Sequence, residues 1–220
     1  GFTDPNDSPA NTLLAVKIAA LPAAGTLALN GVNVTAGQVV SAADITSGKL
    51  VFTPAANANG TPYTSFTFQV QDNGGTADNG VDLDQSPNTI TVNVTSVNDA
   101  PAGTDATVTT NEDASYTFAT ADFGFTDPND SPANSLLAVK IATLPAAGTL
   151  ALNGVGVAAG QVVSAADITS GKLVFTPAAN SSGTPYTSFT FQVQDNGGTA
   201  NGGVDLDQSP NTITVNVTSV

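Results

Sequence analysis

The chain repeats itself: Gly1 to Val97 returns as Gly124 to Val220, shifted by 123 residues throughout. Eight of the 97 aligned positions differ (Thr12/Ser135, Ala20/Thr143, Asn33/Gly156, Thr35/Ala158, Ala58/Ser181, Asn59/Ser182, Asp78/Asn201 and Asn79/Gly202), and each exchange is small or polar. Copies this alike were duplicated recently or are kept alike by recombination. The period exceeds the roughly 20 to 50 residues of a solenoid repeat. It therefore corresponds to a whole domain, and the chain is expected to be an array of independent beads. Such arrays supply length, spacing or multivalency.

Between the copies lie 26 residues, Asn98 to Phe123. Their pattern is too regular for a plain linker, because VTT and SYTF each predict a short strand. They are assigned to the second unit. The expected domains are then 1–97, a repeat lacking its N-terminal strand segment, and 98–220, a complete repeat in which 98–105 form an interdomain linker. Two explanations fit the first copy: the chain is a window on a longer array, or a neighbouring molecule supplies the strand.

A repeat of 123 residues is long enough to bury a core without disulfides or metal. The chain has no cysteine, histidine, methionine, tryptophan or arginine, and its only basic residues are Lys17, Lys49, Lys140 and Lys172. This excludes a conventional catalytic triad, a thiolate nucleophile, a zinc site and a haem ligand. Eighteen acidic residues against four lysines give a net charge of −14, which repels nucleic acid and anionic membrane and favours cations. No apolar run is long enough to span a bilayer, so membrane insertion is not expected. A glycosidase-like use of Asp82 and Asp84 lacks any neighbouring aromatic cluster. A self-formed Lys to Asn crosslink is disfavoured because Lys17 alternates with Val16 and Ile18 and is expected to face solvent. The expectation is a protein that is not an enzyme.

Alternation of apolar and polar residues marks the strands. Phe66, Phe68 and Val70 oppose Thr67, Gln69 and Gln71, while Ile90, Val92 and Val94 oppose Thr91, Asn93 and Thr95, as half-buried antiparallel strands require. LLAVKIA, GTLALNG and KLVFTPA predict three more strands between Gly, Pro and Asn-Gly punctuation, and Ala106 to Phe118 predicts two. The fold class is all-β: tandem β-sandwiches of immunoglobulin-like architecture with about seven antiparallel strands each. SAADITSG predicts one helical turn, with Ser41 as its cap, Asp44 in its first turn and Gly48 at its end. Tyr63 and Tyr186 are expected to seal the sandwich edge rather than bind a ligand.

Acidic and amide residues gather at four strand ends or turns: Asn98 and Asp99 in VNDAP; Asn111, Glu112 and Asp113 in NED; Asp127, Asn129, Asp130 and Asn134 in FTDPNDSPAN; Asp195 and Asn196 in QDNGG. Taken singly, such residues cap turns. In order and spacing the clusters resemble the cadherin family. VNDAP together with DPNDxxxN, GKLVFTP and FTFQVQDNGG is more closely similar to the bacterial cadherin-like repeats of giant surface adhesins, a resemblance that covers essentially the whole chain. Departures are the Asn129-Asp130 pair in place of DxD, a linker with fewer acids, and no DRE-like element before Phe189.

The resemblance implies calcium between successive domains, and an all-oxygen ligand supply suits calcium better than magnesium. Carried over, Asn98, Asp99, Asp127, Asn129, Asp130, Asn134 and Asp195 would hold the ion, while Glu112 would serve the far end of its own unit. Asp4, Asn6, Asp7, Asn11 and Asp72 match the second unit's loop. Asp82, Asp84, Asp205 and Asp207 are expected to form a solvated acidic loop, with an enlarged or separate ion site as alternatives. The implied function is a calcium-stiffened structural extender of a bacterial cell-surface or secreted adhesin, extracellular, projecting an adhesive region or supporting biofilm and cell adhesion. Its partners would be calcium ions and neighbouring repeats of the same chain. The alternative is a subunit of a self-assembling extracellular filament in which identical chains donate β-strands.

Overall fold

A computed structural model describes residues 1–220 as two compact units, Gly1–Ser96 and Val97–Val220. In unit 1 the order is β1 (Leu13–Ala20), β2 (Thr26–Leu29), β3 (Val32–Asn33), β4 (Val39–Ser41), α1 (Ala42–Thr46), β5 (Leu50–Thr53), β6 (Gly60–Asp72) and β7 (Asn88–Val94). Its strands form two antiparallel sheets, ordered β4-β1-β6-β7 and β3-β2-β5. Asn30 and Gly31 turn β2 into β3 with φ of 50° and 77°, the left-handed pair that a two-residue hairpin matching strand twist requires. The predicted helical turn is α1. Ser41 Oγ accepts a 3.0 Å bond from the Asp44 N–H, and Asp44 pairs with Lys49 at 2.7 Å. That lysine, with the Ser41 hydroxyl, holds the half-buried Asp44 carboxyl below the usual carboxylate range.

Unit 2 rebuilds these elements as β10 to β16, after two strands without counterparts in unit 1: β8 (Ala106–Asn111) and β9 (Tyr116–Thr117). The rebuilt strands are β10 (Leu136–Ile141), β11 (Thr149–Leu152), β12 (Val155–Gly156), β13 (Val162–Ser164), β14 (Leu173–Thr176), β15 (Gly183–Asp195) and β16 (Asn211–Thr218), with α2 at Ala165–Thr169. The sheets read β13-β10-β15-β16-β8 and β12-β11-β14-β9. The segment between the copies thus adds one strand to each sheet and closes the same side of the sandwich twice. β9 pairs antiparallel with β14. β8 runs parallel to β16, from Ala106 beside Ile213 to Asn111 beside Thr218. That parallel pairing departs from the all-antiparallel expectation: a single strand that leaves one sheet for the other need not run opposite to both neighbours.

Beyond β9 a short 3-10 turn, Thr120–Phe123, delivers Phe118 and Phe123 into the interior, where they are 1% and 0% exposed. Phe118 meets Phe189 edge-on with ring centroids 5.6 Å apart, and Phe123 meets Phe191 at 5.0 Å, a favoured aromatic geometry. Seventeen buried residues form the unit 2 core, and five form that of unit 1. Three of the seventeen come from the added segment: Val108, Phe118 and Phe123. Five of the others are buried in both copies. The remaining nine, among them Leu173, Phe175, Phe191, Val193 and Ile213, are exposed or only partly buried at their unit 1 counterparts. Tyr63 and Tyr186 close a sandwich edge, each hydroxyl accepting the backbone N–H of Ala55 or Ala178.

Candidate metal centre

One end of unit 2 gathers acids and amides from three parts of the chain. Asn98 and Asp99 come from the segment before β8, Asp127, Asp130 and Asn134 from the loop before β10, and Asp195 from the last position of β15. The loop is organised by its own side chains. Asp127 Oδ2 accepts the Asn134 N–H, while Asp130 Oδ2 accepts the Asp99 N–H at 3.0 Å and an Asn134 side-chain N–H at 3.2 Å. Asp195 Oδ1 accepts from the Gly197 N–H at 2.8 Å and from the Asn98 side-chain amide at 3.0 Å. Asn98 is further tied to Val204, accepting its N–H at 2.9 Å and donating to its carbonyl at 2.8 Å. A side chain at position 197 would overlap Asn98 and Asn134, so glycine there is a condition of this packing.

Two carboxylate oxygens have no partner. Asp127 is 6% exposed and Asp195 fully buried, yet Asp127 Oδ1 and Asp195 Oδ2 receive no hydrogen bond. Burial is the first cause holding the Asp195 and Asp130 carboxyls above the usual range. Their hydrogen bonds to Gly197, Asn98 and Asp99 oppose it, and charge repulsion from neighbouring aspartates adds to it. Asn134 places an amide N–H2 between Asn98 Oδ1 and Asp130 Oδ2: a donor occupies the middle of an oxygen set. Nowhere in the chain do three or more acidic side chains converge on a single point as a ready-made metal cage. What the arrangement offers is a pair of unpaired carboxylate oxygens flanked by a third carboxylate and amide oxygens, a donor set whose hardness suits calcium.

The other sequence candidates lie elsewhere. Asn129 is exposed. Glu112 directly follows β8, beside the last residues of unit 2, where its Oε1 accepts the Val220 N–H at 3.1 Å and the Ser219 hydroxyl at 3.4 Å. In unit 1, Asp4 Oδ2 accepts the Asn11 N–H at 2.7 Å, Asp7 accepts the Asn11 amide at 2.8 Å, and Asp72 Oδ1 accepts the Gly74 N–H at 2.7 Å. The same loop folds alike there, but Asp4 and Asp72 are only half-buried and Asn6 is exposed.

Residues 98–105 pack into unit 2: Pro101 is buried, and Ala102 exchanges backbone bonds of 2.9 and 2.8 Å with Thr126. Their anchor is a residue assigned above to a solvated loop. Asp207 is 5% exposed and accepts the Gly103 N–H at 3.0 Å and the Ser209 N–H at 2.9 Å. Its acidic-loop neighbour Asp205 accepts from the Gln194 amide at 3.0 Å. Asp84, the identical residue in unit 1, instead bonds Asn88 and Ser86 locally. Sequence identity hid the difference, since only the docked segment distinguishes Asp207 from Asp84.

Residues 3–95 and 98–207 each match the family model for the bacterial Ig domain. No curated protein matches this chain. Among solved structures, the crystal structure of human mucin-like protocadherin EC1-2 aligns at 16% identity with a TM-score of 0.44, over 93% of this chain and 84% of that one. A likeness so distant carries no inference about function. The two sandwiches and the two matches together place the chain in the bacterial Ig domain family, with two copies in tandem.

Proposed function

We propose that the chain is a structural extender: tandem immunoglobulin-like repeats of a bacterial cell-surface or secreted adhesin, with calcium held at the Asp127 and Asp195 cluster. The observation that carries this reading is the pair of buried carboxylate oxygens without partners. An unsatisfied buried acceptor costs about 1–3 kcal/mol, and more when charged. A hard divalent cation removes that cost and the mutual repulsion of the aspartates together. Asp127, Asp130 and Asp195 would supply carboxylates, with Asp99 and the amide oxygens of Asn98 and Asn134 completing the set. Calcium fits irregular loops of this kind, whereas magnesium demands a tighter octahedron.

In this reading the cation fixes Asn98 and Asp99, the residues by which the chain leaves unit 1, onto unit 2. Without calcium they are held by hydrogen bonds alone, Asn98 to Asp195 and Val204 and Asp99 to Asp130, and the passage between repeats bends. With calcium it stiffens, and repeats in series project an adhesive region, supporting cell adhesion or biofilm. No catalytic role is proposed, nor binding to nucleic acid. Small-angle scattering in calcium and after chelation tests the idea: the maximum dimension should lengthen with calcium in the native chain and stay short in Asp127→Asn/Asp195→Asn. A native chain whose scattering is unchanged by chelation removes the stiffening role.

A further inference from the structure

We propose that the side-chain amide of Asn134 is a built-in stand-in for the cation at the Asp127 and Asp195 cluster, and that calcium is admitted only when this amide turns over. The inference rests on the calcium reading of that cluster and adds how its filling is controlled.

The orientation of the amide is set by its neighbours. Asn98 donates both side-chain protons, one to Asp195 Oδ1 at 3.0 Å and one to the Val204 carbonyl at 2.8 Å. A primary amide has two donor protons and one oxygen, so Asn98 Oδ1 faces Asn134 as an acceptor. The Asn134 nitrogen meets it and gives its other proton to Asp130 Oδ2 at 3.2 Å. The reverse assignment would set oxygen against oxygen at both contacts. Asn11, the same residue in unit 1, is also a donor, to Asp7 Oδ2 at 2.8 Å. In each copy the amide nitrogen packs over a glycine, Gly197 or Gly74, where a Cβ would lie 2.6 or 2.5 Å from it.

An N–H2 group in this place performs part of a cation's task. It brings partial positive charge to Asp130 and ties Asn98 to the loop before β10. It also presents hydrogens to two of the oxygens that would ligate calcium, and those oxygens cannot face the donor and the ion together. The buried Asp127 Oδ1 and Asp195 Oδ2 lie outside the amide's bonds. The stand-in is therefore incomplete, and calcium gains by replacing it.

The exchange needs little movement. Asp127 Oδ2 holds the Asn134 backbone N–H, which fixes the residue while its terminal torsion, of a broad and roughly two-fold kind, is able to turn. Half a turn about the Cβ–Cγ bond puts Oδ1 where Nδ2 was. A donor becomes a calcium ligand. The two hydrogen bonds lost in the turn oppose binding, so Asn134 sets the calcium concentration at which the cluster fills.

The test is a calorimetric calcium titration of the native 220-residue chain, Asn134→Asp and Ala133→Asp, with side-chain amide NMR of the native chain. Asn134→Asp keeps the shape and removes the donor. Ala133→Asp adds the same charge at the adjoining exposed position and leaves the donor in place. Asn134→Asp should bind calcium more than about tenfold tighter, the equivalent of one to two net hydrogen bonds, and Ala133→Asp less than about threefold tighter. After chelation Asn134→Asp should also lower the unfolding midpoint of unit 2. In the native chain the Asn134 Nδ2 protons should exchange slowly with water after chelation, and calcium should move their resonances and speed their exchange. Equal tightening by the two variants, or Asn134 resonances that stay in place while calcium binds, overturns the inference and keeps the calcium reading. Binding by Asn134→Asp alone keeps the stand-in and ends calcium's role in the native chain. Binding by none of the three ends both.

Discussion

Ile90 and Ile213 are one residue in one local sequence, yet the first is 41% exposed and the second wholly buried. The same holds along the whole side of the sandwich, where Phe52, Phe68 and Val70 are partly exposed and Phe175, Phe191 and Val193 are sealed. The difference lies in 26 residues outside the 97-residue repeat. The folding unit is therefore not the unit of duplication most visible in the sequence. Nine core positions owe their burial to a segment that contributes only Val108, Phe118 and Phe123 to the core. The segment acts mainly as a lid over apolar surface the repeat already carries.

The sharpest way to break this contrast is to remove the lid's anchors. Phe123→Ala or Phe118→Ala should cost unit 2 about 3–5 kcal/mol and leave unit 1 unmoved, read as two transitions in denaturant. In the 220-residue chain unit 1 should be the earlier transition and should not shift. Next in size, Ile213→Ala should cost about 2–5 kcal/mol, whereas Ile90→Ala, already half in water, should cost about 1–2 kcal/mol by the area it loses. Equal losses at the two positions would mean that unit 1 is closed in solution.

Asp207→Ala should cost about 1–3 kcal/mol, because it leaves the Gly103 and Ser209 N–H groups without their acceptor; Asp84→Ala should cost less than about 1 kcal/mol, its bonds being local and exposed. Amide exchange at Gly103 would report the loss directly. The smallest effect is a control. Ser41→Ala and Ser164→Ala remove the same helix cap in both units, at about 1 kcal/mol each, and the two losses should match because the cap bonds to Asp44 and Asp167 have the same length.

Much of this was legible beforehand. Alternation marked the paired strands, Asn30-Gly31 marked the end of β2 but not its hairpin with β3, and Ser41 with Asp44 marked the helical turn, because each depends on neighbours within a few residues. VTT and SYTF were legible as strands, but not that one would run parallel to β16 and the other join the opposite sheet. Partner choice is a long-range matter that periodicity does not encode. Asp207 was misjudged for the same reason: its surroundings are set by Gly103, 104 residues away. In the candidate metal centre, the residue types and the loop could be read from sequence. The two unpartnered oxygens could not, since Asp4 and Asp72 have the same sequence context and remain half exposed.

The most direct measurement is a calorimetric calcium titration of the 220-residue chain beside its Asp127→Asn/Asp195→Asn variant. The account predicts saturable binding dominated by one class of site in the native chain and its loss in the variant, with any weaker binding at the Asp4 and Asp72 loop unaffected. Absence of saturable binding, or binding that the variant retains in full, would contradict it and return these aspartates to the ordinary work of shaping turns.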